Sequence, residues 1–404
     1  MVGLATAIHL QRRGFAVTLV DRGPPGGETS FGNAGVIGRG SILPVATPGV
    51  RRKAWRYLLN RDPAVRVDHA ALPALLPWLR RFLACADART MTRNAAPLNT
   101  LCAAALAAHE DLIAEAGAGG LLRRNGYLTA YRTAARFAAD APARAILAAH
   151  GVAMDLLDAA DVAAIEPHLA PVFRHAVLAV GSASVSDPGA LCAAYHRLYL
   201  ARGGTGLRFT VQALLPAGDG WRVATDGPTL VADRVVVALG PWSADLLRPL
   251  GLRLPLGVER GYHTHRRPLG NAVLGRPVFD AESGYVLAPM DAGIRITSGT
   301  ELARRDAPST PRQLARVLPV AHATFPMEQR ALADGDVWRG ARPSFPDSLP
   351  VIGPAPGRPG LWLAFGHGHI GFSTGPATGR AVAAAIAGAA PEFDLAPFSA
   401  ARWL

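Results

Sequence analysis

Lysine is almost missing from this chain. Lys53 is the only one, and arginine carries the rest of a formal net charge of +12. A charge of that size suggests nucleic acid, but the arginines are dispersed, in pairs such as Arg12-Arg13 and Arg304-Arg305, with no basic block. With abundant Ala, Gly and Pro, this reads as the imprint of a GC-rich genome, and nucleic acid is set aside as a partner. A weak attraction to anionic membrane surfaces or acidic partners stays open. Cysteine is scarce as well: Cys85, Cys102 and Cys192 stand far apart, which excludes a disulfide framework and any metal-ligand spacing. Each is expected on a helix as a small buried apolar group, as suits a reducing cytoplasm. Long hydrophobic runs are absent: Ala381 to Ala390 is too short and too Ala/Gly-rich to span a bilayer, and no signal peptide is visible. Charged residues make up only 18 % and apolar residues 50 %, so the chain is globular rather than disordered, with length for two domains.

A further absence lies at the start. Met1-Val2-Gly3-Leu4-Ala5 reads as the last glycine of a dinucleotide-binding turn entering its helix, which ends at Arg12-Arg13-Gly14. The apolar strand Phe15–Val20 follows and closes on Asp21, 18 residues after Gly3. In a G-x-G-x-x-G unit the helix N-terminus takes the pyrophosphate and the acid takes the ribose hydroxyls, so a flavin or nicotinamide site is implied. The first strand and the first two glycines of such a unit should precede Met1, and a sheet without them should show a gap or a displaced strand.

Along the chain, residues from about 62 to 120 read helical through Leu72, Leu75, Leu76, Leu79 and Phe82, then Leu98, Leu101, Leu106 and Leu112. Tyr127–Tyr131 reads as a strand, and 133–150 as helix. Ser186-Asp187-Pro188 is a helix start, with Asp at the cap and Pro in the first turn. A strand–hairpin–strand segment from Leu207 to Leu239 restores β/α alternation, and 254–344 is strand-rich. Two interleaved units result: 1–60, 187–255 and 345–404 for the dinucleotide, 61–186 and 256–344 for a substrate-holding cap.

The C-terminal segment carries the sharpest signal. The strand Leu361–Phe365 runs into Gly366-His367-Gly368-His369-Ile370-Gly371-Phe372-Ser373 and then a helix to about Gly388. Alternating glycines let backbone approach a flat ligand, and free N–H groups at the helix start favour negative charge, such as that near N1 of a reduced flavin.

Taken together, Val2–Gly14, Val17–Arg22, Ser30–Gly35, Ser186–Leu191, Ala238–Leu246, Trp338–Gly353 and Gly366–Arg380 resemble the FAD-dependent amine and D-amino-acid oxidoreductases. The resemblance is nearest to the D-amino-acid dehydrogenase branch, through Asn33-Ala34-Gly35, Pro48-Gly49-Val50 and Gly366-His367-Gly368. It implies an α/β fold: a Rossmann-like FAD-binding domain of the GR2 type, interleaved with an α+β substrate domain on a mixed or antiparallel sheet. It further implies that Gly3, Asp21, Arg22, Ser30, Asn33, Ala34, Gly35, Val211, Gly240, Gly366, His367, Gly368, His369, Ile370, Gly371 and Ser373 contact FAD. Attachment should be non-covalent, because no Cys lies beyond Cys192, and Phe31 and Gly32 stand where some relatives carry an attaching His.

The same resemblance implies that Arg342, before Pro343, clamps a substrate carboxylate over the flavin, a role its planar fork suits, and Arg339 is expected to be structural. Tyr262 and Tyr285 are candidates to close the pocket, and His369 to face substrate. His263 and His265 look metal-like but lack further ligands, so no metal is expected. The implied reaction is oxidative deamination of a D-amino acid by hydride transfer to flavin. The electrons then pass to a quinone chain or to oxygen, in the cytoplasm or peripherally on the inner face of its membrane. The alternatives are a D-hydroxyproline dehydrogenase, a glycine/sarcosine-type amine oxidase or, in another class, a truncated flavin-free protein. Oligomeric state is left open.

Overall fold

The computed structural model describes residues 1–333 and 335–404. Helix α1 (Val2–Gln11) has no polar face to speak of, and Leu4 to Leu10 are all buried. A helix apolar all round must be covered all round, and α1 is flanked by the C-terminal helix Gly371–Ile386 and the helix Pro188–Ala201. The contact with the C-terminal helix is close because Gly379 has no side chain: a Cβ there would stand 2.6 Å from the Thr6 backbone nitrogen. Gly14, at φ +82°, turns the chain from α1 toward the strand Thr18–Val20.

That strand pairs in parallel with Thr205–Leu207. Val235–Val237 pairs in parallel with Leu361–Phe365, which pairs antiparallel with Val351–Pro354. Among the described residues these are separate sheets, so the doubly wound sheet is interrupted between Val20 and Val235. Asp187 caps the helix at Pro188 by accepting from the Ala190 N–H at 2.9 Å.

Among the described residues a second sheet of ten strands holds Val65–Val67, Tyr127–Tyr131 and most of 257–344. Only its pairings of Val278–Asp280 with Tyr127–Tyr131 and of Thr300–Leu302 with Val65–Val67 are parallel. Alternation along Gly257–Arg266 divides its faces. Tyr262 joins Leu287, Ile296 and Tyr285 in a core covered by Leu314, Val317 and Leu318 of the helix Arg312–Thr324. Glu259, Gly261 and His263 point the other way, opposite Arg342, Gly340 and Trp338 of the neighbouring strand.

Helix α2 (Pro48–Leu58) precedes this sheet's first strand, and the expected long helical stretch is α3 (Leu72–Ala84) and α4 (Ala88–Glu115). Asp87 separates the last two by capping α4, accepting from the Thr90 N–H at 2.9 Å. Packing redraws one expected boundary. α4 falls within 61–186, yet Leu98 and Leu101 pack with Val382 and Ile386, and Leu112 packs with Ile8 and Tyr195. The strands Leu122–Arg123 and Ala183–Val185 likewise pair beside Val36–Ile37 in the first unit. Periodicity shows that a helix has a buried face but not which body covers it. Cys102 and Cys192 are buried on helices, whereas Cys85 is only half-buried and sits just past the end of α3.

Candidate active site

One cavity of about 1600 Å³ runs from the two small sheets of the first unit to the cap face of the ten-stranded sheet. Its walls include Gly3, Asp21, Arg22, Ser30, Asn33, Ala34, Val211, Gly240, Gly366, His367, Gly368, His369, Ile370, Gly371, Ser373 and Arg342. Sequence-distant segments thus meet on one surface.

At one end, Asp21 closes the strand Thr18–Val20 and accepts from the Gly23 N–H at 3.0 Å, which fixes the turn. Arg22 lies 3.8 Å above the Trp242 ring and pairs with Glu28 at 2.5 Å. The 30–35 loop is held from below by Arg295, which donates to the carbonyls of Phe31 (3.0 Å) and Asn33 and to His265 Nε2 at 3.1 Å. Burial lowers the Arg295 pKa to about 10, with Asp187 opposing. Gly35 does not line the cavity. Its need for glycine is structural, because at φ +72° a Cβ would stand 2.2 Å from the Val185 carbonyl oxygen.

In the C-terminal turn, Gly366 and Gly368 adopt φ +86° and +56°, a region open to glycine at little cost. The helix from Gly371 has no side-chain cap, which leaves first-turn N–H groups for a ligand. Ser373 Oγ and Asn33 Oδ1 are buried without a hydrogen-bond partner among the described residues. His367 bonds Thr378 Oγ1 at 3.0 Å, and burial pulls its imidazole down to about 3. His369 presents an open surface to the cavity amid dense protein; desolvation, then Arg342, pulls it to about 4.

Arg342 folds across Gly261, where a Cβ would stand 2.3 Å from Nη2. Its one hydrogen bond is long, 3.4 Å to Thr300 Oγ1, and among the described residues it has no ion-pair partner. Burial lowers its pKa, with Glu259 opposing. Glu259 is itself buried and its carboxyl is pushed up by desolvation, against Ser344 and Arg342. The result is a fork of donors in a cavity wall with nothing strong to hold. Arg339, three residues earlier, is exposed and donates to the Ala307 carbonyl.

The two tyrosines border the cavity as rings, with their hydroxyls engaged elsewhere. The Tyr262 hydroxyl donates to Glu301 at 2.6 Å and accepts from Arg260 (2.6 Å) and the Thr310 N–H (3.1 Å). Tyr285 donates to Thr324 at 3.0 Å on the helix-covered face. Both rings border the cavity, but their hydroxyls are spent in the core. Alternation along the strand, not residue type, decides this. Glu259 was missed for the same reason: it sits at odd spacing from Tyr262, on the face that matters.

A profile of the DAO family, described as FAD dependent oxidoreductase, matches residues 1–385. The chain belongs to this family. DAO members similar to it include a D-amino-acid oxidase of Bradyrhizobium diazoefficiens, 34 % identical over all of this chain and 97 % of the relative. A D-amino acid dehydrogenase 2 of Ralstonia nicotianae is 33 % identical, over all of this chain and 98 % of the relative. Among solved structures, glycine oxidase of Geobacillus kaustophilus matches all of this chain and 96 % of its own, at TM-score 0.75 and 24 % identity. The L-proline dehydrogenase of P. horikoshii matches 99 % of this chain and 94 % of its own, at TM-score 0.74 and 17 % identity. At those identities the structures speak for the fold alone, which is the mixed α/β fold expected. The cofactor of the DAO family is FAD, and the uncapped helix start, the orphaned Ser373 and Asn33 oxygens and the glycine turn fit it. Among the described residues no His/Cys/Asp/Glu cluster could hold a metal, and no helix is long and apolar enough to cross a membrane.

Proposed function

We propose that this oxidoreductase deaminates D-amino acids, and that Arg342 binds the substrate carboxylate. The single observation that carries the reading is the Arg342 guanidinium: it lines the cavity, lacks an ion-pair partner among the described residues and makes one long hydrogen bond. A carboxylate meets its planar fork through two parallel charge-assisted bonds. The names of the two D-amino-acid relatives support the choice of substrate.

In this proposal FAD is held non-covalently: the adenosine end by Asp21, Arg22 and Val211, the pyrophosphate by Gly3, Ser30 and Gly240, the ring system by Asn33, Ala34 and Gly366–Ser373. Bound FAD supplies a two-electron acceptor for the Cα hydride. The chain's part is orientation. Arg342 fixes the carboxylate, so Cα is set at one distance from the ring system. His369 faces the same cavity, its imidazole pulled down by desolvation and then by Arg342. The amino acid loses a hydride from Cα and a proton from nitrogen, and the imino acid released hydrolyses to a 2-oxo acid and ammonia. Reducing equivalents leave to a quinone or to dioxygen, at a cytoplasmic site.

Anaerobic mixing of the yellow protein with D-alanine, L-alanine, sarcosine and cis-4-hydroxy-D-proline tests this. Bleaching of flavin absorbance near about 450 nm is expected with D-alanine. Bleaching by sarcosine or hydroxyproline alone moves the assignment to those alternatives, and a colourless protein that takes up no FAD ends it.

A further inference from the structure

Helix α2 lies outside the catalytic cavity and has a surface the reaction does not use. Residues 45–61 and 69–86 carry seven Lys/Arg side chains and no Asp or Glu. The intervening Asp62 and Asp68 are tied into turns, accepting from the N–H groups of Ala64 and Ala70. No residue of α2 is fully buried. Trp55 is 55 % exposed, Leu58 45 % and Leu59 56 %, and Leu76 of α3 is 51 % exposed.

The arrangement on the helix is ordered. At 100° per residue, Trp55, Leu58 and Leu59 fall within an arc of about 100°. Val50, Ala54 and Tyr57 lie on the opposite side and are half-buried toward the protein. Arg52 and Arg56 follow along one edge of the apolar arc, and Lys53 lies farther round, beside Tyr57. Arg51 lies within that arc but reaches back, donating to the carbonyls of Leu83 (2.8 Å) and Ala84 (3.2 Å) at the end of α3. An exposed tryptophan and leucines bordered by basic side chains are the pattern of a helix lying in a lipid interface.

We propose that this face of α2, with Leu76, docks on an anionic bilayer. Charge complementarity selects the occupant. Basic side chains near an anionic leaflet are attracted individually while the Trp and Leu side chains enter the acyl boundary. A second copy of the chain would set this acid-free face against itself with like charges opposed. Nucleic acid would satisfy the arginines but leave the leucines in water. Val45 and Ala64, just before and after α2, line the cavity, so docking holds the cavity wall beside the lipid. The proposal rests on this surface and not on the choice of substrate.

The test is cosedimentation of the FAD-loaded protein with phosphatidylcholine vesicles, with or without about 30 % phosphatidylglycerol. Binding is expected only to the anionic vesicles and should weaken with salt. A Trp55→Ser/Leu58→Ser/Leu59→Ser variant and, separately, Arg52→Glu/Arg56→Glu should each bind at least about tenfold more weakly, with flavin absorbance and dye-linked turnover unchanged. Arg51 is kept because it ties α2 to α3. Two different variants guard against misfolding of one. Wild-type protein left in solution with both vesicle types overturns the proposal, and so does equal binding by the charge-reversed variant. Lipid-independent dimerisation abolished by the same substitutions assigns the face to a second copy instead.

Discussion

Replacing Arg342 by Lys removes the fork and keeps the charge. In the folded protein the guanidinium makes one 3.4 Å hydrogen bond and has no ion-pair partner among the described residues. The substitution therefore costs little stability, and it shortens a side chain that now lies across Gly261. In the substrate complex two charge-assisted bonds become at most one. Hydrogen bonds to charged groups are worth about 1.5–3 kcal/mol each, so kcat/KM for D-alanine should fall by about tenfold to more than a hundredfold. The loss should sit mainly in KM, because the carboxylate is held in ground state and transition state alike. Arg339→Lys, which alters only a bond to the Ala307 carbonyl, is the matched control and should change kcat/KM by less than about twofold. Steady-state kinetics on both FAD-loaded variants, with melting temperatures recorded alongside, make the comparison. Equal effects, or a larger effect at Arg339, would refute the carboxylate assignment.

Tyr262→Phe should leave KM within about twofold and lower stability by about 1–3 kcal/mol, because Arg260 and Glu301 lose a buried partner; denaturant unfolding and kinetics separate the two effects. Gly379→Ala forces a Cβ to within 2.6 Å of the Thr6 nitrogen and should cost about 1–3 kcal/mol together with FAD affinity, read by unfolding and flavin titration. Acid should destabilise the protein through its buried histidines. Burial lowers His9, His109 and His265 to about 4 and His367 to about 3. The unfolded chain binds these protons near pH 6.5 and the folded one does not, so stability is lost as pH falls from about 6.5 toward 4, by about 1.4 kcal/mol per pH unit for each histidine. His109→Gln should flatten that slope by one proton in urea titrations across this range.

Local signals in the sequence were enough for several elements. Asp187 before Pro188 marks a helix start because cap chemistry needs only a side-chain oxygen near its own chain's N–H groups. Gly366 and Gly368 mark a turn because a left-handed backbone excludes most other residues whatever surrounds it. The apolar run of α1 announces a helix that must be enclosed. Arg342 and most of the glycines that line the cavity were singled out through the family resemblance, not by local signals alone.

Other features depend on which bodies meet. α4 is an amphipathic helix in either unit, and only the packing of Leu98, Leu101 and Leu112 against α1 and the C-terminal helix assigns it to the first. Gly35 looks like a ligand-contacting glycine until Val185 is seen against it. Tyr262 and Glu259 lie on one strand, and the alternation that separates them is legible in the chain. Which face holds the core and which the cavity is not, because that was decided by the helix Arg312–Thr324 covering one side. A side chain's chemistry is written in the sequence, but its partners come from distant segments, and burial by those segments determines whether a hydroxyl is spent, a carboxyl is raised or a guanidinium is left free to bind.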